Sequence, residues 1–359
     1  MSSSRLTSEN RAIARFSGLR ASVAVECVDV LAEPHRIAAG GFWVLVGEFS
    51  GRVRAWRFAV VERGEEVPEP PSGTWRGPAP GSWRSSMSRV EYEAAVRTTR
   101  EAVREGAVYQ ANVCRVLSAP LPDEPDALAL AHLLGRANPA PYAGVLHVPH
   151  DGPLPGAWIV SASPELFLRL RSDRLTSGPI KGTAAEPEGL TEKDRAENVM
   201  ITDLVRNDLQ RVCLPGTVEV DSLLAVERHP GLVHLVSTVS GSLLPGLRDE
   251  PWGPVLRATF PPGSVSGAPK SSALELIARL EPVDRGPYCG AFGWVDADAG
   301  RAELAVAIRT FWWEPPGVLR FGTGAGVTWG SDPAREWEET ELKARRLVAI
   351  ASRVPHWGA

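Results

Sequence analysis

The chain has 359 residues, 43% hydrophobic and 23% charged, which fits one large or two smaller globular domains with a substantial core. The net charge of −4, with no basic block, argues against nucleic acid as a partner. Four scattered cysteines (Cys27, Cys114, Cys213, Cys289) without a CxxC pair argue against a disulfide framework and a zinc site, and the lack of an apolar signal core or membrane-length apolar run predicts a cytoplasmic protein without membrane contact.

Two runs near the N-terminus, Gly41–Gly47 and Val53–Val60, predict antiparallel strands. Gly64–Ser86, rich in Pro, Gly and Ser, predicts a loop and the best boundary: residues 1–87 form a β-rich segment of the same fold, and residues 88–355 a catalytic domain. Ser88 with Glu91 is a capping box, so a helix starts there; Val90, Ala94 and Val103 are its expected apolar face and Gly106 its stop. A strand follows over Ala107–Leu117, a helix over Asp126–Leu134, and strands over Tyr142–Val148, Ala157–Ser161 and Leu166–Leu170. Thr191, with Asp194 at the third position, opens a long helix to Val212. A further helix opens near Pro269-Lys270. Strands are expected over Gly290–Val295, Ala302–Trp313 and Val318–Gly324, and a last helix from Ser331-Asp332-Pro333 to Ser352. Without a βαβ repeat, the class is α+β, with antiparallel sheets in a sandwich-like core and helices around it.

Several residues have chemistry to offer. Lys181, in Pro179-Ile180-Lys181-Gly182-Thr183, is a candidate nucleophile once deprotonated, although most such lysines are surface groups beside a turn. Glu336, Glu339 and Lys343 recur at i, i+3 and i+7 on one helix face, and Asp194 and Glu197 at i and i+3 on another. Two solvated salt-bridged faces is the plain reading. Two helices facing one Mg²⁺ is the other, since magnesium takes a few carboxylates and keeps waters. Gly263–Lys270 and Gly322-Thr323-Gly324-Ala325-Gly326 are candidate anion cradles of exposed N–H groups. The second lacks the spacing and crossover helix of a dinucleotide fingerprint.

These motifs, in order, resemble the chorismate-utilising enzymes (anthranilate, aminodeoxychorismate, isochorismate and salicylate synthases). The similarity runs from Ser88 to Ser352 and rests on Tyr109-Gln110, Ser163-Pro164-Glu165, PIKGT at Pro179, DRAENVMITDLVRND from Asp194, VHLVST from Val233, GSVSGAPK from Gly263, YCGAFG from Tyr288, AIRT from Ala307, GTGAG from Gly322 and EWEETELK from Glu336. The resemblance implies that Glu197, Glu336 and Glu339 surround Mg²⁺ with Asp194 close by, and that Glu165 is the acid for the departing C4 hydroxyl. It implies that Tyr288, Arg309, Lys343 and the amides near Gly324 hold chorismate's carboxylates. His234 and Ser264 then line the ring, and Gly182 and Thr183 lie beside the substrate. A dianion needs cationic and N–H donors, and hydroxide leaves only with an acid.

Lys181 separates the members. Anthranilate synthases resemble PIAGT here and aminodeoxychorismate synthases PIKGT, where the lysine attacks C2 as the C4 hydroxyl leaves and ammonia then displaces it. The implied product is 4-amino-4-deoxychorismate, a precursor of p-aminobenzoate and folate. Isochorismate and salicylate synthases carry a lysine base two residues after the Tyr, where this chain has Ala111. No arginine follows PIKGT, Pro262 stands where glycine is common, and no tryptophan-pocket element is present, so tryptophan feedback is not expected. No Gly-x-Cys-x-Gly elbow is present, so ammonia is expected from a separate glutamine amidotransferase subunit. The alternatives are an anthranilate synthase component I, which aminates C2 and releases pyruvate, and a non-catalytic binder of a chorismate-like metabolite.

Overall fold

Residues 11–64, 73–184, 186–229 and 232–352 are described by a computed structural model. Residues 65–72 of the Pro/Gly loop, the extreme N-terminus and residues 353–355 of the expected catalytic domain lie outside them. The chain begins β1 (Ile13–Phe16), β2 (Leu19–Asp29), α1 (Pro34–Ala38), β3 (Phe42–Gly47), β4 (Val53–Arg63), β5 (Arg84–Ser85) and α2 (Arg89–Arg104). It continues with β6 (Gln110–Pro120), α3 (Ala127–Ala137), β7 (Tyr142–Val148), β8 (Ala157–Ser163), β9 (Leu166–Arg171), β10 (Arg174–Gly178), β11 (Ile180–Ala184) and α4 (Glu192–Gln210). The remainder is β12 (Glu219–His229), β13 (Leu232–Ser242), α5 (Trp252–Thr259), β14 (Gly267–Ala268), α6 (Lys270–Leu280), β15 (Ala291–Asp296), β16 (Arg301–Val306), β17 (Thr310–Glu314), β18 (Val318–Val327) and α7 (Pro333–Ala351).

Every named strand pairing is antiparallel, and the strands follow one another as a single ribbon. Its first half runs β6–β18–β17–β8–β7–β1–β2. Its second runs β4–β3–β15–β16–β9–β10–β13–β12, joined to the first through β2–β4. The ribbon folds over at that junction. Phe16 of β1 meets Phe292 of β15 with ring centroids 5.3 Å apart, and Ala14 and Leu146 share one buried cluster with Leu45, Phe292 and Leu304. The fold is therefore the expected α+β sandwich with helices around it. The N-terminal strands complete it, because β3 pairs along all of β15.

The capping signals hold. Ser88 caps α2 in a full capping box, Thr191 and Asp194 do the same for α4, and Asp332 caps α7 ahead of Pro333. The apolar face of α2 is not the expected one. Val90 is 73% exposed and Ala94 is exposed, while Tyr92, Ala95, Val96 and Thr99 face inward. That stripe has helical i, i+3, i+4, i+7 spacing, and the Tyr92 hydroxyl, donating 3.1 Å to the Val113 carbonyl, fixes its orientation. The strand expected over Ala302–Trp313 breaks at Ala307–Arg309, where Arg309 takes φ +52°, a left-handed conformation uncommon for a non-glycine residue.

Two buried side chains lock the helices that carry the carboxylates. Asn198, the neighbour of Glu197, donates 2.9 Å to the Leu235 carbonyl and accepts from the Ser237 hydroxyl, which pins α4 to β13. Arg115 of β6 stacks 4.1 Å over Trp337, donates 3.0 Å to the Thr340 hydroxyl and pairs with Glu341, which pins α7. Arg115→Met removes these bonds and the cation–π contact together. It is expected to cost about 2–3 kcal/mol in denaturant unfolding, with activity falling as α7 loosens.

Candidate active site

The glycine-rich sequence of β18 is not a turn. Gly322–Gly326 continue the strand, paired residue for residue with β6 from Gly322↔Val116 to Gly326↔Asn112. Its glycines serve close approach rather than turn formation. A Cβ at Gly322 would lie 2.0 Å from the Tyr288 ring, and one at Gly324 would lie 2.4 Å from Cys114 Sγ. One at Gly326 would lie 2.3 Å from Gln110 Nε2 and 3.3 Å from Lys181 Nζ. β17 flanks β18 only as far as Phe321, so the glycine segment keeps one edge free of that neighbour.

Lys181 therefore reaches from β11 to β18. Burial pushes its pKa down from the ordinary lysine value; Glu197 and Glu165 pull it up, Lys343 pushes it further down, and the net direction is down. Glu165, 4% exposed, sits between β8 and β9, and its Oε1 has no hydrogen-bond partner within the protein. Burial raises its pKa to about 7, against the opposing influence of the Ser264 hydroxyl, Lys181, the Ile180 N–H and Arg309. Arg309 faces Glu165 from the break between β16 and β17. A carboxyl that stays protonated near neutrality beside a lysine that deprotonates more readily has the protonation states that an acid and a nucleophile require. A small cavity lined by Glu165, Ser264, Ser177, Asp208 and Thr259 lies behind the acid.

The remaining expected residues lie on the elements next to this pair. His234 is buried on β13, in register with Thr183 of β11, whose side chain lies outside the described residues. Gly182 takes φ +89°, and a Cβ there would lie 2.8 Å from the Asp194 Cβ, so glycine is required for β11 to close on α4. Tyr288 is buried beneath Gly322. Lys343 donates 3.0 Å to the Gly324 carbonyl and pairs 2.6 Å from Glu339. Lys270, at the end of the Gly263–Lys270 stretch, is not turned toward a ligand. Its amine spans Asp208 at 2.6 Å and the Thr259 carbonyl at 2.8 Å.

The carboxylates of α4 and α7 do face each other. Glu197 and Glu336 share one ammonium, that of Lys193, at 3.6 and 3.5 Å. Asp194 spends its Oδ2 on the capping box, accepting from the Thr191 N–H at 2.8 Å and its hydroxyl at 2.6 Å. Among the described residues no three Asp, Glu, His or Cys side chains converge into a ready-made metal cage. The donor set nonetheless fits magnesium, which needs one or two carboxylates and fills its octahedron with water and substrate oxygens. Glu197 Oε1 is buried without a hydrogen bond, its pKa is raised by burial and by Glu336 while Lys181 and Lys193 oppose, and one cation already bridges it to Glu336. At Glu339 burial favours the neutral form, but Lys343, Lys193 and Lys181 together outweigh it and hold the pKa below the ordinary carboxylate value.

Sequence reasoning passed over Gln110, Lys193 and a buried thiol pair. Gln110 is 1% exposed, with its amide beside Lys181 and Oε1 unpartnered. Cys114 and Cys289 come within 4.0 Å under the glycine strand. The Tyr109-Gln110 motif was a signal for the first, but nothing in the spacing points to the other two.

A family profile described as chorismate binding enzyme matches residues 48–349. The chain belongs to the chorismate-binding enzymes. It is 38% identical over 281 residues to an anthranilate synthase component 1 of Saccharolobus solfataricus, covering 75% of this chain and 64% of that one. It is 37% identical over 279 residues to the aminodeoxychorismate synthase component 1 of Salmonella typhimurium, covering 74% and 59%. Among solved structures, anthranilate synthase component I of Streptococcus pneumoniae superposes with a TM-score of 0.73 at 24% identity, over 94% of this chain and 90% of that one; this likeness speaks to the fold. The chain spans between about half and two thirds of the length of the curated relatives it matches. No helix among the described residues is long and apolar enough to cross a membrane.

Proposed function

We propose that the chain is the chorismate-aminating component of an aminodeoxychorismate synthase, working with a glutamine amidotransferase that delivers ammonia. The observation that carries this reading is Lys181 itself, its amine beside Gly326 and Gln110 and within the fields of Glu165 and Glu197. In this reading the neutral Lys181 amine forms a bond to C2 of chorismate. The ring double bond shifts, the C4–O bond breaks, and Glu165 gives its proton to the departing hydroxyl, which leaves as water. Ammonia then adds at C4 and the Lys181 amine departs from C2, so the enolpyruvyl group stays on the ring. Arg309, Lys343 and Tyr288 hold the substrate carboxylates, and His234 and Ser264 position the ring. Glu197, Glu336 and Glu339 would hold Mg²⁺, which supplies positive charge against the substrate dianion.

The relatives include both anthranilate and aminodeoxychorismate synthases at closely similar identity, which keeps C2 amination as a second reading. Chorismate, Mg²⁺ and ammonium at mildly alkaline pH, resolved by mass spectrometry, separate the two. Aminodeoxychorismate with its enolpyruvyl group intact is the expected product. Anthranilate with pyruvate would overturn the C4 assignment, and no turnover at all would favour a binder.

A further inference from the structure

Lys193 lies outside the chemistry assigned so far, yet its ammonium is the cation that Glu197 and Glu336 share. The two carboxylates come from different helices. Their side chains are only 15% and 5% exposed, so two like charges are held together with little water between them. Glu197 Oε1 has no hydrogen bond, and the Lys193 ammonium at 3.6 Å, together with the field of Lys181, offsets its charge. Lys193 itself is different in kind. Its side chain is 48% exposed, and its contacts, at 3.5 and 3.6 Å, sit at or beyond the outer limit of a hydrogen bond. A compact ammonium on a flexible four-carbon stem can leave such a place by rotating into water.

We propose that Lys193 is the resident counter-ion of the carboxylate pair, holding Glu197 and Glu336 together until a divalent cation displaces it. The proposal rests on the magnesium reading of the site. Geometry gives the reason for exchange. Magnesium draws carboxylate oxygens to about 2.0–2.1 Å and completes its shell with waters. An ammonium at this separation satisfies neither oxygen fully, and it leaves at the cost of two partly exposed ion pairs. Lys193 would thus weaken cation affinity while preserving the metal-free fold, so that the site is intact before the cation arrives and holds it only loosely. Lys343 plays no such part, because its 2.6 Å pair with Glu339 is accompanied by a bond to the Gly324 carbonyl, which anchors it to β18.

The test is a pair of measurements on the whole chain, stripped of metal with a chelator, as wild type, Lys193→Met and Lys193→Arg. Calorimetric titration with MgCl₂ should show Lys193→Met binding about three- to tenfold more tightly than wild type. Its metal-free melting temperature should fall by about 1–3 °C, because the two carboxylates lose their counter-charge. Lys193→Arg keeps the charge and should bind no more tightly than wild type. Opposite signs for metal-free stability and cation affinity are the signature, since a merely structural lysine would lower stability without tightening binding. If wild type binds Mg²⁺ and Lys193→Met binds it equally or less tightly, the counter-ion role is overturned and the magnesium reading stands. If neither binds Mg²⁺, the magnesium reading falls and the displacement proposal falls with it, whatever the melting temperatures do.

Discussion

Lys181→Ala is expected to abolish the C4-aminated product, lowering kcat by about 10³-fold or more with chorismate binding largely retained. The size of the effect follows from the proposed role, in which the Lys181 amine itself forms the bond to C2. The pH profile carries a second signature. Lys181 acts only as the free amine, and its burial brings deprotonation to lower pH than for an ordinary lysine, against the pull of Glu197 and Glu165. In the proposed mechanism Glu165 works only while protonated, and burial raises its pKa to about 7. The two requirements oppose each other, one favouring high pH and the other low pH, so kcat should pass through a bell-shaped maximum. Mass spectrometry of the products, with kcat followed from pH 5 to 10, checks both statements. Unchanged turnover to the same product in Lys181→Ala would remove the lysine from the mechanism and leave the fold and the carboxylates as they are.

Much of the fold was legible in the residues, and so was the grouping of several candidate-site side chains. The caps at Ser88, Thr191 and Asp332 are local hydrogen-bond rules, and all three hold. The motif order pointed to the fold because so many positions do not match together, and in sequence, by chance. What escaped depends on tertiary geometry. A run of glycines reads as a turn, yet in β18 it makes room for Tyr288, Cys114 and Lys181, and no local pattern distinguishes close approach from a bend. Asp194 and Glu197 share a helix face, but Asp194 serves the cap while Glu197 faces α7. Arg309 interrupts what reads as one strand because its left-handed backbone turns the chain there. Cys114 and Cys289 meet only because β6 and the segment before β15 converge under the glycines.

Glu165→Gln is expected to lose activity and gain stability at the same time. Gln cannot protonate the departing hydroxyl, so kcat should fall by about 10²–10⁴-fold. Stability moves the other way because of where the acid is buried. In the fold its pKa is about 7, against an ordinary 4.5, so between those values the folded chain holds a proton that the unfolded chain has released. The stabilisation from that proton is full below about pH 4.5 and is lost as pH rises through about 7. Above pH 7 the native protein must keep an ionised carboxylate in a place with an unpartnered oxygen, and the shift corresponds to about 3 kcal/mol of lost stability. A neutral amide of the same shape escapes this cost. Glu165→Gln should therefore melt on the order of 4 °C above wild type at pH 8 and close to it at pH 4. Melting curves at the two pH values decide the matter. A variant no more stable at pH 8 than at pH 4, relative to wild type, would mean that Glu165 is ionised throughout and so cannot be the acid. A stabilised but inactive variant would place the acid's raised pKa among the costs that the fold bears for its chemistry.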